Sequence, residues 1–176
     1  MEVTLENNNE YPFRKGDMFA LIWNNLYQPT DPSLVENITH TRNVKKGKGQ
    51  DGRPMWEEEE YQLSYYKWSA CWRELVKKYP NSTYSFKEFD RDGKIYDVMY
   101  YADQSASVHC TVTVNGISRE MWLPVMDYKN KSIPNPSSRD INDAKMRCLV
   151  KCVSMFGLGF DLYDGTYNGG KNGLQK

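Results

Sequence analysis

The dipeptide Asn115-Gly116 constrains the fold of this chain more than any other short feature. It separates two runs of alternating apolar and polar residues, and both of its residues tolerate the positive φ angles of a type I′ turn. A two-residue turn fixes the register of the strands on either side, so His109 should face Trp122. The sequence therefore predicts an antiparallel hairpin with one apolar and one polar face.

Helical and strand patterns precede this hairpin. Apolar residues recur at helical spacing over residues 63–79, with Ser64 as the candidate cap, and a shorter helix is predicted over 17–27. Two alternating segments, 83–89 and 95–101, predict further strands. The expected fold class is α+β: a curved antiparallel sheet of three to four strands in β-β-β-α order, after an N-terminal helix, with the helices on one face.

The last predicted helix carries the feature that bears most on function. Asp140 is its candidate N-cap, and Gly157 and Gly159 follow its last turn, where a left-handed residue ends a helix. Arg147 and Lys151 stand four residues apart, opposite the apolar face, and are called the cationic stripe below. Such a stripe is either a solvated face or a grip on a phosphate backbone, and its spacing alone favours the solvated face.

Lys145 departs from this pattern because it falls inside the apolar arc of the same helix. Lysine is seldom buried without a partner, so its side chain either reaches an edge of the arc or serves a site. Two roles stay open for it from the sequence: a ligand for DNA, or one half of a buried ion pair.

The segment 28–60 is rich in proline and carries a basic run followed by an acidic run. It is interpreted as a flexible charged arm or an insertion containing a hairpin, and the mobile loop is favoured. The expected division of the chain is 1–60 as an N-terminal extension with a short helix and this loop, 61–164 as the core domain, and 165–176 as a flexible tail. Residues 1–16 are also expected to be poorly ordered.

Composition narrows the range of functions. The chain has 23 basic and 23 acidic residues, so an anion site must be a local patch. Its four cysteines form no CxxC pair and its two histidines do not complete a zinc pattern, which predicts reduced, buried thiols and neither metal nor cofactor. With no signal peptide and no apolar run that could span a bilayer, the expectation is a soluble, cytoplasmic protein.

The sequence offers one enzymatic alternative. It has no glycine-rich phosphate loop and no legible catalytic triad, so a non-enzymatic protein is favoured. The alternative is a metal-dependent nuclease built from acidic residues and a lysine, namely Asp90, Asp92, Asp97, Asp127 and Lys129. The first two lie in a D-R-D-G segment, which ordinary turn chemistry explains better.

Several motifs follow one another along the chain from residue 61 onward. They are YQLSYYKWSA from residue 61, KYP from 78, EF from 88, EMWLPVMD from 120, DINDAKMRCLVK from 140 and MFGLG from 155. Over roughly residues 61–164, this order resembles the bacteriophage single-strand annealing proteins of the Sak-type group, which are distantly similar to the ring-forming eukaryotic Rad annealing protein. The resemblance implies ATP-independent binding of single-stranded DNA and annealing of complementary strands in phage homologous recombination. It also implies a homo-oligomer, a ring or filament, in the host cytoplasm.

The resemblance further implies which residues hold the sugar-phosphate backbone. They lie on the last predicted helix, in the loop before it and on the helix predicted over 63–79: Arg147, Lys151, Lys145, Lys129, Lys131, Arg139, Lys67 and Arg73. A single-strand-binding protein or an exonuclease is a further candidate partner. A protein that coats single strands without pairing them stays an alternative. His109 and Trp122 would stack on bases or lie at a subunit or helix interface, and the interface is favoured.

Overall fold

The computed structural model describes residues 17–48 and 52–168, and the segments predicted to be poorly ordered lie largely outside these ranges. The helices are α1 (Met18–Leu26), α2 (Trp68–Lys78), α3 (Ser138–Ser154) and α4 (Asp161–Asp164). The strands are β1 (Val35–Lys48), β2 (Pro54–Tyr66), β3 (Thr83–Phe86), β4 (Phe89–Arg91), β5 (Lys94–Tyr96), β6 (Met99–Tyr100), β7 (Ala106–Val114) and β8 (Ile117–Pro124). The expected α+β class with antiparallel sheets is confirmed.

The main sheet is arranged around β7. β8 pairs along one edge of β7, while β3 and β6 share the other edge at different heights. The turn between β7 and β8 has φ values of 47° at Asn115 and 79° at Gly116, and His109 lies opposite Trp122. The register predicted from the two-residue turn is therefore confirmed.

The core lies between one face of this sheet and the helices. Alternate residues of β7 are buried, as expected for a strand with one covered face, and α3 packs on both β7 and β8. α2 in turn packs on α3. The largest fully buried side chains of this cluster include Ile22, Leu26, Leu75, Leu149 and Phe156. The cationic stripe is therefore carried by the helix that is most firmly fixed to the sheet.

The charged segment 28–60 contains a long strand and most of a second one, so the favoured expectation of a mobile loop is wrong and the hairpin alternative is found. β1 and β2 pair antiparallel, which places the acidic run opposite residues 41–44, where Arg42 begins the basic run. Arg42 lies opposite Glu59, and its Nη2 is 3.1 Å from the Glu59 carboxylate. Oppositely charged cross-strand pairs of this kind favour pairing. β2 also runs through the predicted domain boundary at residues 60/61, and the division itself stays a prediction.

Two helix starts differ from the sequence prediction. α2 begins at Trp68 and not at residue 63, because β2 continues to Tyr66. Ser64, the expected cap, instead donates its hydroxyl to Asn37 Oδ1 across the hairpin at 2.6 Å. At α3 the cap is Ser137 and not Asp140, since the two form a capping box.

The two strands predicted before the Asn115-Gly116 hairpin are each divided. β3 pairs with β7, whereas β4 and β5 form a small separate hairpin around the Asp92-Gly93 turn. β6 then returns to the edge of β7. The break lets Phe89 cross the polar face of β7, where its ring lies 5.2 Å from that of His109.

Candidate nucleic-acid interface

The position of α3 is set at its N-terminus and along its buried face. The Ser137 hydroxyl accepts from the Asp140 N–H at 3.3 Å, and the Asp140 carboxylate accepts from the Ser137 N–H at 2.9 Å. The Ser137 hydroxyl and backbone N–H both donate to the Asp140 carboxylate, and these two bonds lower the pKa of Asp140. On the buried face, the thiols of Cys148 and Cys152 donate to backbone carbonyls of β8 at 3.3 and 3.2 Å. Small side chains at both positions let the helix backbone approach the sheet closely.

The cationic stripe lies at one margin of this fixed helix. Arg147 and Lys151 are both half-buried, so their aliphatic stems pack on the protein. Lys151 Nζ lies 5.9 Å from the centre of the Tyr163 ring. Partial burial raises the pKa of the Tyr163 hydroxyl, and the positive charge of Arg147 opposes that rise. Both cations are thus grouped around one tyrosine of α4, a residue that sequence reasoning missed because α4 falls after the double glycine.

Lys145 forms an ion pair with Asp97. Its Nζ contacts the Asp97 carboxylate and lies 5.2 Å from the centre of the Phe86 ring, and its side chain is only 17% exposed. Of the two roles left open by the sequence, the structure shows an ion pair, but the Asp97 side chain is 52% exposed, so the pair is not a buried one. A lysine held in this way has little freedom to reach a phosphate, which ranks it below Arg147 and Lys151 as a DNA contact.

The loop between β8 and α3 presents further cations. Asp127 Oδ1 accepts from the backbone N–H groups of Lys129 and Lys131 at 2.8 and 2.9 Å, which shapes a tight turn and leaves both lysine side chains exposed. Arg139 is exposed in the first turn of α3. The loop thus extends the positive surface towards the start of the helix that bears the cationic stripe.

The cations of α2 are placed less favourably for DNA. Lys67 is exposed at the N-cap of the helix. Arg73 Nε lies 3.0 Å from Glu74, and Lys77 Nζ lies 2.9 Å from the same carboxylate oxygen. Hydrogen bonds from Lys77 and Arg73 lower the pKa of Glu74, so this carboxylate stays charged beside them. The charge of Arg73 is consequently countered at close range.

The carboxylates of the nuclease alternative are used by local structure. Asp90 Oδ1 accepts from the Gly93 N–H at 3.1 Å, Asp97 pairs with Lys145, and Asp127 shapes the turn described above. Within 17–48 and 52–168, no three His, Cys, Asp or Glu side chains are grouped so as to hold a metal ion. These acidic residues therefore do not form the shared cluster that two-carboxylate metal chemistry requires.

The polar face of the main sheet carries the predicted pair of aromatic residues. His109 Nδ1 lies 3.2 Å from Glu120, its Nε2 lies 3.3 Å from the Ser107 hydroxyl, and its ring stacks with Trp122 at 6.4 Å. Trp122 is 55% exposed, so the helix-interface interpretation is wrong for this residue. Its alternatives, a subunit interface and base stacking, stay predictions.

The four cysteines are all buried free thiols, as expected. Burial raises the pKa of Cys148 to about 12, which keeps it a neutral packing residue at ordinary pH. Among the helices of the described ranges, none has the length and apolar character needed to cross a membrane.

Comparison with known proteins identifies the family of this chain. No curated protein matches the chain. A family model described as Sak Single Strand Annealing Protein matches residues 52–169, a span that includes β2, the main sheet and α3. Because this match covers well over half of the chain, the protein belongs to the Sak family of single-strand annealing proteins.

Proposed function

We propose that this protein binds single-stranded DNA through its backbone and anneals complementary strands without a nucleotide cofactor. The observation that carries the proposal is that the Sak family match includes the whole of α3, the helix that bears the cationic stripe. Binding that ignores sequence needs phosphate contacts and no reading of base edges, and a row of half-buried cations on a rigid helix suits that need.

The contact surface that we propose has a main part and an extension. Arg147 and Lys151, grouped around Tyr163, form the main part, because their stems are packed and their charges are not paired with a carboxylate in the described ranges. Lys129, Lys131 and Arg139 extend the surface along the preceding loop. Lys67, Arg73 and Lys145 contribute less, because Arg73 and Lys145 are engaged by Glu74 and Asp97.

We also propose that the protein acts as a homo-oligomer, a ring or filament. The equal numbers of acidic and basic residues remove the global repulsion that would oppose self-association. In the part of the chain that the structure describes, β8 pairs with β7 alone, so its outer edge offers backbone groups to a neighbouring copy. Light scattering coupled to size-exclusion chromatography tests this proposal, and a monomer at all concentrations would contradict it.

The decisive experiment is a real-time annealing assay. Two complementary DNA strands, one with a fluorophore and one with a quencher, are mixed with and without the protein, in EDTA and without ATP. We expect faster quenching with the protein, and no quenching when the second strand is not complementary. The acceleration should fade as salt rises, because phosphate contacts are screened and counterions compete.

Each other outcome has a definite meaning. Binding of the labelled strand without faster quenching would show a coating protein and refute annealing. Loss of the labelled strand in a parallel reaction with Mg²⁺ would support the nuclease alternative. Absence of any binding at low salt would mean that the cationic stripe is a solvated face.

A further inference from the structure

The hairpin formed by β1 and β2 has two different faces. Because side chains alternate along a strand and His40 lies opposite Tyr61, one face carries His40, Arg42, Tyr61 and Glu59. Glu58 and Glu60 belong to the other face, where Glu58 lies opposite Asn43 and Glu60 lies opposite Thr41. The acidic run of the sequence is thus divided, and half of its charge points away from the aromatic side chains.

Three rings meet on the first face. The rings of His40 and Tyr61 are stacked, with centres 5.6 Å apart and planes at 27°. His40 also stacks with Tyr128, with centres 6.4 Å apart and planes at only 4°. Tyr128 comes from the loop between β8 and α3, so this aromatic stack of Tyr61, His40 and Tyr128 joins the hairpin to the loop that holds Lys129 and Lys131.

Both ends of the aromatic stack carry a cation. The Arg42 guanidinium lies 5.5 Å from the centre of the Tyr61 ring, and Lys129 Nζ lies 5.2 Å from the centre of the Tyr128 ring. Glu59 is the one carboxylate in contact with Arg42 among the described residues, and the two are both near the surface. Aromatic rings interleaved with cations are the arrangement by which proteins hold single strands, with bases on the rings and phosphates on the cations.

Two observations show that the aromatic stack is incomplete as it stands. Tyr128 is 67% exposed, so most of its surface has no covering group. His40 Nε2 is buried and has no hydrogen-bond partner in the described ranges, and a buried polar atom of this kind normally has one. A planar ligand stacked on Tyr128 would cover the first, and the second shows that the present contacts leave His40 without a polar partner.

We infer that the aromatic stack is a base-binding site for single-stranded DNA, in which the exposed ring of Tyr128 holds a base, His40 supports that ring, and Arg42 and Lys129 contact the adjacent phosphates. The inference rests on the proposed function and assigns a second contact to it, separate from the cationic stripe. A second copy of the chain is a poorer occupant. Stable interfaces need about 800 Å² from each partner and have cores depleted in lysine, whereas this site is three rings bordered by cations.

The test separates base contacts from backbone contacts. Fluorescence anisotropy measures the affinity of the full chain for oligothymidylate and for a strand of equal length whose bases are replaced by abasic sites. We expect Tyr128→Ala to weaken binding of oligothymidylate by about tenfold, the typical effect of losing one stacking ring. It should leave binding of the abasic strand unchanged, and Tyr128→Phe should keep the wild-type affinity for both.

A matched control removes an exposed tyrosine elsewhere. Tyr101→Ala, at a side chain 40% exposed, should not change the ratio of the two affinities. If Tyr128→Ala leaves the ratio of the two affinities unchanged, because both fall equally or neither falls, the inference is overturned while the proposed function stays in place. A wild-type protein that binds neither strand would overturn both. A change of oligomeric state with Tyr128→Ala would assign the aromatic stack to a second copy and so overturn the base-binding role.

Discussion

Replacement of Arg147 and Lys151 together by alanine tests the cationic stripe most directly. The two side chains are half-buried beside Tyr163, so alanine removes both charge and packing. A change in affinity alone would not separate these effects. The slope of log K against log salt does separate them, because it counts the counterions that phosphate contacts release and is insensitive to a uniform loss of packing.

The expected magnitude follows from the number of contacts. Each phosphate contact with a single strand contributes about 0.7 to this slope, so loss of two contacts lowers it by about 1.4. Affinity should fall alike for strands of different sequence, because phosphates carry no sequence information. Fluorescence anisotropy with labelled oligonucleotides at a series of salt concentrations measures both quantities.

A control pair with the same geometry is present on α2. Arg73 and Lys77 are also four residues apart, and alanine at both removes the same charge, but both contact Glu74 at 3.0 and 2.9 Å. We expect a clearly smaller change of slope for this pair. A wild-type slope after loss of Arg147 and Lys151, or an equal fall for the control pair, would refute the assignment of the stripe as the DNA contact.

Three further predictions concern the parts that hold the stripe in place. Gly157→Ala should lower the free energy of unfolding by about 2–4 kcal/mol in urea titrations, because φ is 108° and a Cβ would lie 2.9 Å from the Tyr27 backbone nitrogen. Lys145→Met should change the melting temperature only slightly, because the Asp97 side chain is 52% exposed and stays hydrated without its partner, and it should leave the salt slope of DNA binding at its wild-type value; a lowered slope would make Lys145 a DNA ligand. Cys148 should react with a thiol reagent only on unfolding, and rapid reaction of the native protein would contradict its burial.

Local rules in the sequence predict the centre of the fold well. The Asn115-Gly116 turn needs information from only two residues, and it places His109 opposite Trp122 without reference to the rest of the chain. The apolar arc of α3 is likewise a local pattern. Features that depend only on the sequence of a single helix or turn are therefore predictable in this protein.

Features that depend on a distant partner are not predictable in the same way. β1 has little apolar alternation, so its own sequence does not predict a strand. The pairing of Arg42 with Glu59 on β2 is what identifies it as one. The first residue of α2 cannot be identified from the sequence pattern, because Tyr65 fits both the apolar stripe of a helix and the end of β2. The partner of Lys145, Asp97, lies in the bend between β5 and β6, so no spacing rule within α3 could name it.

The aromatic stack and the cationic stripe place opposite demands on an annealing protein. Stacking of a base on an aromatic side chain contributes about 1–3 kcal/mol, and a base-pair step in a duplex contributes about 1.4 kcal/mol on average. A base held on Tyr128 must therefore leave a contact of similar strength before it pairs. Phosphate contacts impose no such cost, because they are the same before and after pairing.

Strengthening the aromatic stack should consequently bind DNA better and anneal it more slowly. In Tyr128→Trp the larger ring offers more stacking area, so we expect tighter binding of oligothymidylate in the anisotropy assay. We expect slower quenching in the annealing assay at protein concentrations that saturate the strands. Tyr128→Ala should show weaker binding, but pairing no slower than wild type once the strands are saturated. Tighter binding with faster annealing in Tyr128→Trp would show instead that the stack presents the base for pairing, and this reasoning would be wrong.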